Sequence, residues 1–536
     1  MYSEDQLIKE QTIIYPKGST RRKKLPIKLD LFFIALIIFS FLFVSFTLIT
    51  GIWLVDWNST ISIVYFFGFV LLYIGIAFDL TEIILSIWNT PQDIPKSPFL
   101  THSPAVALLM TICDDANTYV LRQLKNQNYS NYDIYILDDS FNEMQQEIIN
   151  QTGYKILRRG NRRGYKAGNL NHWLDKYGKF YKYMIVLDSD SLLPDNFITC
   201  MVEYAEHPLN RQVALFQSKI IPWNTHLSMP RMLGALAPMR MHILDRIANR
   251  MGTMLSWGHN NLTRLEVLLD IGGFQEHLTS EDTTLSLLLS ARGYSIKLVD
   301  VISYDSEPND LHAYTRRGLR WAQQTTALFH YPWQSASIKL KMFLCYQLYG
   351  YVLPYVYLTL LMMAAWMPVR NVSLNWQYAL NFIFESRYYL SPWFFAVLIM
   401  TGLWIIQILA RFVFAYRAGV SVHDFIFHYF FSASLMYFTV FPIGLAILET
   451  LILGNKISFV PTNSVLPQQN GLRKNLYQMI PLFIYGGMLF AGLLLKNRYL
   501  LFSLNGLPII LLFLAPLTLR YFLSSQESFQ EVSSEL

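Results

Sequence analysis

Charge is what this chain lacks most. Only 15% of its 536 residues are Asp, Glu, Lys or Arg, against about 25% in an ordinary soluble domain, and its mean hydropathy is positive. A wholly water-exposed protein does not fit that balance, and lipid-facing segments are the expected cause. Cysteine is nearly as scarce, with Cys113, Cys200 and Cys345 the three present. An odd number without a C-x-x-C pair argues against a disulfide framework or a thiolate zinc site and suits reduced, cytosol-facing thiols. The first thirty residues carry no apolar core of a secretory leader. No internal repeat or low-complexity tract is visible, which disfavours a repeat-built transporter. The net charge is +6, but no nucleic-acid-binding motif accompanies it, so no nucleic-acid partner is expected.

Long apolar runs are what the chain has in place of charge. Those at 31–55, 61–78, 343–367, 389–410, 476–495 and 499–519 approach or exceed the roughly 20 residues that a bilayer crossing needs. The run at 425–448 differs. Arg411 and Arg417 precede it, while Lys456, Arg473 and Lys474 follow it, which would put both its ends in the cytoplasm. His428 and Pro442 interrupt it. It reads as an interfacial helix or a re-entrant segment, with a seventh span as the alternative. Six spans leave both termini inside. The expected order is a cytoplasmic tail (1–28), two spans (29–92), a cytoplasmic catalytic domain with interfacial helices (93–340), and two spans (341–412). An interfacial helix and loop (413–475), two further spans (476–521) and a polar tail (522–536) complete it.

The polar stretch alternates strand-like and helix-like segments. Apolar runs at 105–110, 133–137 and 183–187 each lead into acids: Asp114 and Asp115, Asp138 and Asp139, Asp188 and Asp190. A fourth run covers 213–216. One acidic strand end is commonly a helix cap. Three suggest a shared site, because open parallel α/β sheets bind ligands beyond the carboxyl ends of their strands. Asp188-Ser189-Asp190 suits a hard cation, magnesium or manganese, bridging diphosphate oxygens. Asp138 and Asp139 can accept hydrogen bonds from a ribose or a base imino group, or form a turn and cap. The run Arg158, Arg159, Arg162 and Arg163 could bind phosphate. In Lys166-Ala167-Gly168-Asn169-Leu170-Asn171 the lysine can neutralise a phosphate or pair with a site carboxylate, and Gly168 allows close backbone approach to a ligand. Ser280-Glu281-Asp282 precedes an apolar helix. It is either a cap with an acidic first turn or the setting of a general base, Asp282, for an acceptor hydroxyl. In Arg317-Gly318-Leu319-Arg320-Trp321 the spacing puts both arginines and the indole near one helix face. Arginine forks onto diphosphates and an indole underlies a sugar ring; anchoring at lipid headgroups is the alternative.

In this order the motifs resemble the processive membrane members of glycosyltransferase family 2: the cellulose, chitin and hyaluronan synthases and the periplasmic-glucan glucosyltransferases. The likeness covers roughly residues 60–475. Ser280 stands where that pattern has Thr, and Arg317 where Q-x-x-R-W has Gln. Gly258-His259-Asn260, Arg264 and R-x-x-R-W lean toward the periplasmic-glucan group. The resemblance implies an α/β nucleotide-sugar-binding domain of GT-A type inserted in an α-helical transmembrane domain of about six spans plus interfacial helices. By the same resemblance Asp139, with Asp138, holds uridine. Asp188 and Asp190 hold the diphosphate and Mg2+ or Mn2+, helped by Lys166, Arg317 and Arg320. Asp282 is the base with Glu281 beside it, and Trp321 and His259 meet the acceptor. Phe459 and Thr462, in a gating-like loop that lacks the family's lysine, contact the nucleotide.

The implied reaction is processive and inverting: UDP-glucose is polymerised into a β-glucan that crosses the plasma membrane. Its partners are then a UDP-sugar donor, the growing polysaccharide and the lipid bilayer. Another donor such as UDP-GlcNAc, single transfer to a lipid, or a transporter or scaffold with an inactive domain are the alternatives. No β-barrel follows the last run, so control by cyclic di-GMP is not expected.

Overall fold

The computed structural model describes residues 94–276, 280–327, 337–366, 405–453 except 407 and 418, and 484–495 except 493, with isolated positions before residue 94, and gives the side chains of its longest helices only in part. Apart from such isolated positions, the expected spans at 31–55, 61–78 and 499–519, most of 389–410 and part of 476–495 lie outside the described residues. So do both tails and the loop with Phe459 and Thr462.

Seven strands form one sheet: β1 (Val106–Ile112), β2 (Tyr132–Asp138), β3 (Lys155–Arg158), β4 (Tyr183–Asp188), β5 (Val213–Pro222), β6 (Asn261–Arg264) and β7 (Ser295–Asp305), in the order β3-β2-β1-β4-β6-β5-β7. Alternation along the strands sends successive side chains to opposite faces. Val106, Leu108, Met110 and Ile112 of β1, with Tyr183, Ile185 and Leu187 of β4, build one core. Ala107, Leu109, Met184 and Val186 build the other.

Helices cover both faces. On the first lie α1 (Thr118–Gln123), α2 (Glu143–Asn150) and α4 (Phe197–Glu206); on the second, α3 (Tyr165–Tyr177), α7 (Leu265–Asp270) and α8 (Glu281–Ala291). Trp173 of α3 is fully buried, and truncating such a side chain costs about 3–5 kcal/mol.

The sheet is mixed: β1, β2, β3 and β4 run parallel, as the shared acidic ends of β1, β2 and β4 require. β6 runs antiparallel to β4 and β5. Positive φ at Gly258 (83°) and Asn260 (51°) turns the chain just ahead of this strand. All four residues of β6 are buried. Its Arg264 is satisfied by the carbonyls of Val213, Ala205 and Asn210 and by the Tyr183 hydroxyl. A segment Asn-Leu-Thr-Arg carries no strand period, which hides it in the sequence.

Beyond the sheet run α5 (Ser228–Gly234), α6 (Ala237–Met251), α9 (Leu311–Ala327), α10 (Ile338–Trp366) and α11 (Val422–Leu453). Neither His428 nor Pro442 interrupts α11, which continues through both. The His428 ring Nδ1 meets the Met232 carbonyl at 2.7 Å, and Asp424 pairs with Arg231 at 3.0 Å. These contacts tie α11 to α5, while α9 and α10 pack against it. Among the described residues no helix is long and apolar enough to cross a membrane.

Candidate active site

The carboxyl ends of β1, β2 and β4 lie side by side. Ile112 of β1 is paired with Asp138, and Thr111 of β1 with Asp188. The two acidic strand ends therefore flank β1 about 10 Å apart, two strand spacings. The acids after β1 brace the neighbouring loops. Asp114, at φ 60°, accepts from the backbone N–H groups of Phe141 and Asn142, both at 2.8 Å. Asp115 accepts from Cys113 N and Ser189 Oγ, both at 2.8 Å. Burial lifts Asp115 to a pKa of about 6.

Asp188 is the hub. Lys166, on the first turn of α3, donates to its Oδ1 at 2.5 Å and to the Gly258 carbonyl at 3.2 Å, and lies 4.0 Å from Glu281. Burial opposes the lysine's charge, but Asp188 and Glu281 outweigh it and hold its pKa above the ordinary value. At Asp188 burial works against the carboxylate, yet Lys166 and His259 hold its pKa well below the usual range, with Arg320 adding to the effect.

His259 stands 3.5 Å from Asp188 through Nδ1 and 2.8 Å from Asp305 through Nε2. Burial disfavours its charge, but the two carboxylates lift it to about 9, an imidazolium at neutral pH. Asp190 accepts from Ser306 Oγ, and its carbonyl accepts from Trp223 Nε1 at 3.0 Å. Burial and then the neighbouring Asp305 push its carboxyl well up.

Glu281 and Asp282 open α8. Asp282 Oδ1 accepts from Ser280 Oγ at 2.9 Å and Thr283 N at 2.6 Å, while Oδ2 stands against Gly258. A side chain at Gly258 would be strained by its φ of 83°, so glycine is what brings this loop under both Lys166 and Asp282.

Burial, then Asp282, raises Glu281 from 4.5 to about 7. The sign follows: relative to the unfolded chain, the stability tied to its proton is present below pH 4.5 and is lost as pH rises through 7. Glu281→Gln is therefore expected to raise the melting temperature of the purified protein at pH 8. The gain should be about 1–3 kcal/mol, discounted for partial exposure, and should vanish near pH 4.5. Equal melting temperatures at pH 8 would refute it.

Several expected residues sit elsewhere. The Asp138 side chain is fully enclosed and closes on Arg158 at 2.6 Å and Ser140 N at 2.9 Å. Both oxygens of Asp139 are gripped by Arg159, at 2.9 and 2.6 Å. Arg162 lies 4.6 Å over the Phe141 ring and donates to Cys113 Sγ. Three of the four arginines of the basic run thus have internal partners, which corrects their reading as a phosphate site. Gly168 does permit a close approach, but of the chain itself: a Cβ there would lie 2.0 Å from the Arg163 carbonyl. Arg317 pairs with Glu307 at 2.6 Å and lies 4.8 Å over the ring of Trp321, which is 44% exposed. Asp305 was missed. It ends the alternating strand β7, so an acidic strand end was again the signal available.

Comparison with known proteins decides the family. A profile described as glycosyl transferase family group 2 matches residues 183–453, or 271 of 536, from β4 to the end of α11. The chain belongs to glycosyl transferase family group 2. It is similar to glucans biosynthesis glucosyltransferase H of Cereibacter sphaeroides, at 28% identity over 179 residues, 31% of this chain and 30% of that protein. The protein of that name from Klebsiella pneumoniae is 24% identical over 271 residues, 44% of this chain and 31% of its own. Probable glucomannan 4-beta-mannosyltransferase 6 of Oryza sativa is 27% identical over 212 residues, 37% and 36%. The chain spans about a third of the length of these relatives. A solved mannosyltransferase, PcManGT from Pyrobaculum calidifontis in complex with GDP-Man and Mn2+, aligns over 63% of this chain and 97% of that one, with TM-score 0.42 and 16% identity.

Glycosyl transfer is the activity that the family's description names. Among the described residues no group of three or more His, Cys, Asp or Glu side chains forms a metal cage. The donor set around Asp190 is carboxylate oxygen, and Asp305 crowds it with like charge. Such a site fits a divalent cation that takes most of its ligands from phosphate and water.

Proposed function

We propose that this family 2 glycosyltransferase moves glucosyl units from UDP-glucose onto the end of a β-glucan, with inversion, and passes the polymer across the membrane that holds it. The observation that carries this reading is Lys166, which joins the first carboxylate of Asp188-Ser189-Asp190 to the helix start bearing Glu281 and Asp282. A donor-diphosphate site and a candidate base thereby share one cation. Relatives named as glucosyltransferases favour glucose. The low charge and the apolar runs favour a membrane-embedded GT-A enzyme of about six spans.

In this scheme the uracil and ribose lie toward Asp139, whose carboxylate Arg159 holds at both oxygens. The diphosphate lies over Asp188 and Asp190. Lys166, Arg320 and the His259 imidazolium hold its negative charge. A magnesium or manganese ion at Asp188 and Asp190 would supply Lewis-acid stabilisation of the departing UDP. Asp282 takes the proton of the acceptor hydroxyl as that oxygen attacks the anomeric carbon and the bond to UDP breaks. Trp321 gives the acceptor sugar a platform, and Phe459 and Thr462 contact the nucleotide.

The reading is tested with membranes given labelled UDP-glucose, UDP-GlcNAc or GDP-mannose and magnesium or manganese. The expected product is polymeric label from UDP-glucose that a β-glucanase releases. The mannosyltransferase relative favours a second reading, in which GDP-mannose alone labels polymer. A singly glycosylated lipid as sole product would replace processive synthesis. No nucleotide release with any donor would leave the scaffold reading.

A further inference from the structure

Asp305 has no role in the scheme above, yet its side chain holds the histidine that faces Asp188, and its chain neighbours hold the segment that carries Asp190. It ends β7, and its carbonyl accepts from Trp223 N at 3.0 Å. The residue before it, Tyr304, exchanges two backbone hydrogen bonds of 2.9 Å with Leu192, just past Asp190. The residue after it, Ser306, donates to the Asp190 carboxylate. Trp223, which follows β5, donates its indole N–H to the Asp190 carbonyl. The end of β7 is thus bolted to the segment that carries Asp190.

From this fixed point the Asp305 side chain reaches His259. Its Oδ2 lies 2.8 Å from Nε2, while Nδ1 lies 3.0 Å from the Trp257 carbonyl and 3.5 Å from Asp188 Oδ2. Both side chains are largely buried, 22% and 16% exposed. An imidazole held at both nitrogens cannot swing away, and it faces Asp188. A histidine–carboxylate pair that served only the core would not end on both carboxylates of one motif.

We propose that Asp305 is a positioning residue of glycosyl transfer. It holds His259 against Asp188 and fixes how Asp188 and Asp190 are presented to the donor diphosphate. His259 then belongs to the donor side, and the acceptor contact expected of it is replaced. Groups that orient ligating side chains in this way typically change affinity or activity 10–100-fold when removed. The inference rests on the UDP-sugar reading and deepens it.

The test uses the full-length purified protein with magnesium present, UDP binding read by calorimetry, and KM and kcat read separately. Asp305→Ala is expected to weaken UDP about 10–100-fold and to raise the donor KM in step, with kcat within about threefold. Asp305→Asn keeps an oxygen to accept from the imidazole and should recover UDP affinity to within about threefold of wild type. His259→Ala combined with Asp305→Ala should be no worse than the poorer single variant, because both remove one strut. Additive losses would overturn the proposal, since Asp305 would then act on the donor or metal by itself. It would equally fail if Asp305→Asn were as poor as Asp305→Ala, or if kcat fell with UDP affinity unchanged. Wild-type protein that binds no UDP would instead defeat the underlying reading.

Discussion

Asp282→Asn is expected to lower kcat by about 10³-fold while UDP affinity stays within about threefold of wild type. General-base catalysis contributes about 10²–10⁴-fold, and asparagine cannot take a proton. The substitution is otherwise gentle. Oδ1 keeps its bonds from Ser280 Oγ and Thr283 N, since an amide oxygen accepts as a carboxylate does. Only the oxygen beside Gly258 changes chemistry. Donor binding is assigned to Asp188, Lys166 and their neighbours, none of which hydrogen-bonds to Asp282 in the contacts above. Turnover and calorimetry therefore separate the two roles. Wild-type turnover in Asp282→Asn would remove Asp282 as the base and leave Glu281, with its raised pKa, as the nearest carboxyl. A fall in UDP affinity equal to the fall in kcat would instead assign Asp282 to the donor site.

The local parts of this site were legible because their chemistry is a matter of residue type at short spacing. Asp188-Ser189-Asp190 follows a strand that buries nearly every residue, and Lys166 opens a helix where the sequence put one. What was hidden is long-range. Asp305 comes to His259 from 46 residues away, through the β5–β7 pairing and an antiparallel β6 that has no period to announce it. The arginines of the basic run were misjudged for the same reason. Arg158 is the cross-strand partner of Asp138 in the β2–β3 register, and Arg159 follows Asp139 in step. Without the register, two acids and two bases twenty residues apart read as two separate ligand sites. With it they are neighbours that largely neutralise one another, each carboxylate closing on an arginine of the next strand or the loop after it.

Lys166→Met is expected to reduce kcat/KM for the donor by about 10³-fold and UDP affinity by about 10²-fold. Removing one preorganised electrostatic donor costs about 10²–10³-fold in rate, and this one also meets the ground-state diphosphate. Methionine keeps the length and the apolar stem of the side chain, so α3 and its packing should persist. The ammonium, however, lies between Asp188 at 2.5 Å and Glu281 at 4.0 Å. Without it two partly buried carboxylates face an incoming diphosphate, a juxtaposition of like charges. The loss should also acquire a pH signature. Burial raises the pKa of Asp188, and Lys166 is first among the groups that hold it down. With the lysine gone, Asp188 binds its proton more readily. Since the donor site needs the carboxylate, activity of Lys166→Met should fall off at a higher pH than that of wild type as the pH is lowered from 8 toward 4. Initial rates across that range, with UDP affinity measured at both ends, check the expectation. A variant with kcat/KM within threefold of wild type and a parallel pH profile would show that Lys166 only fills space beside Asp188.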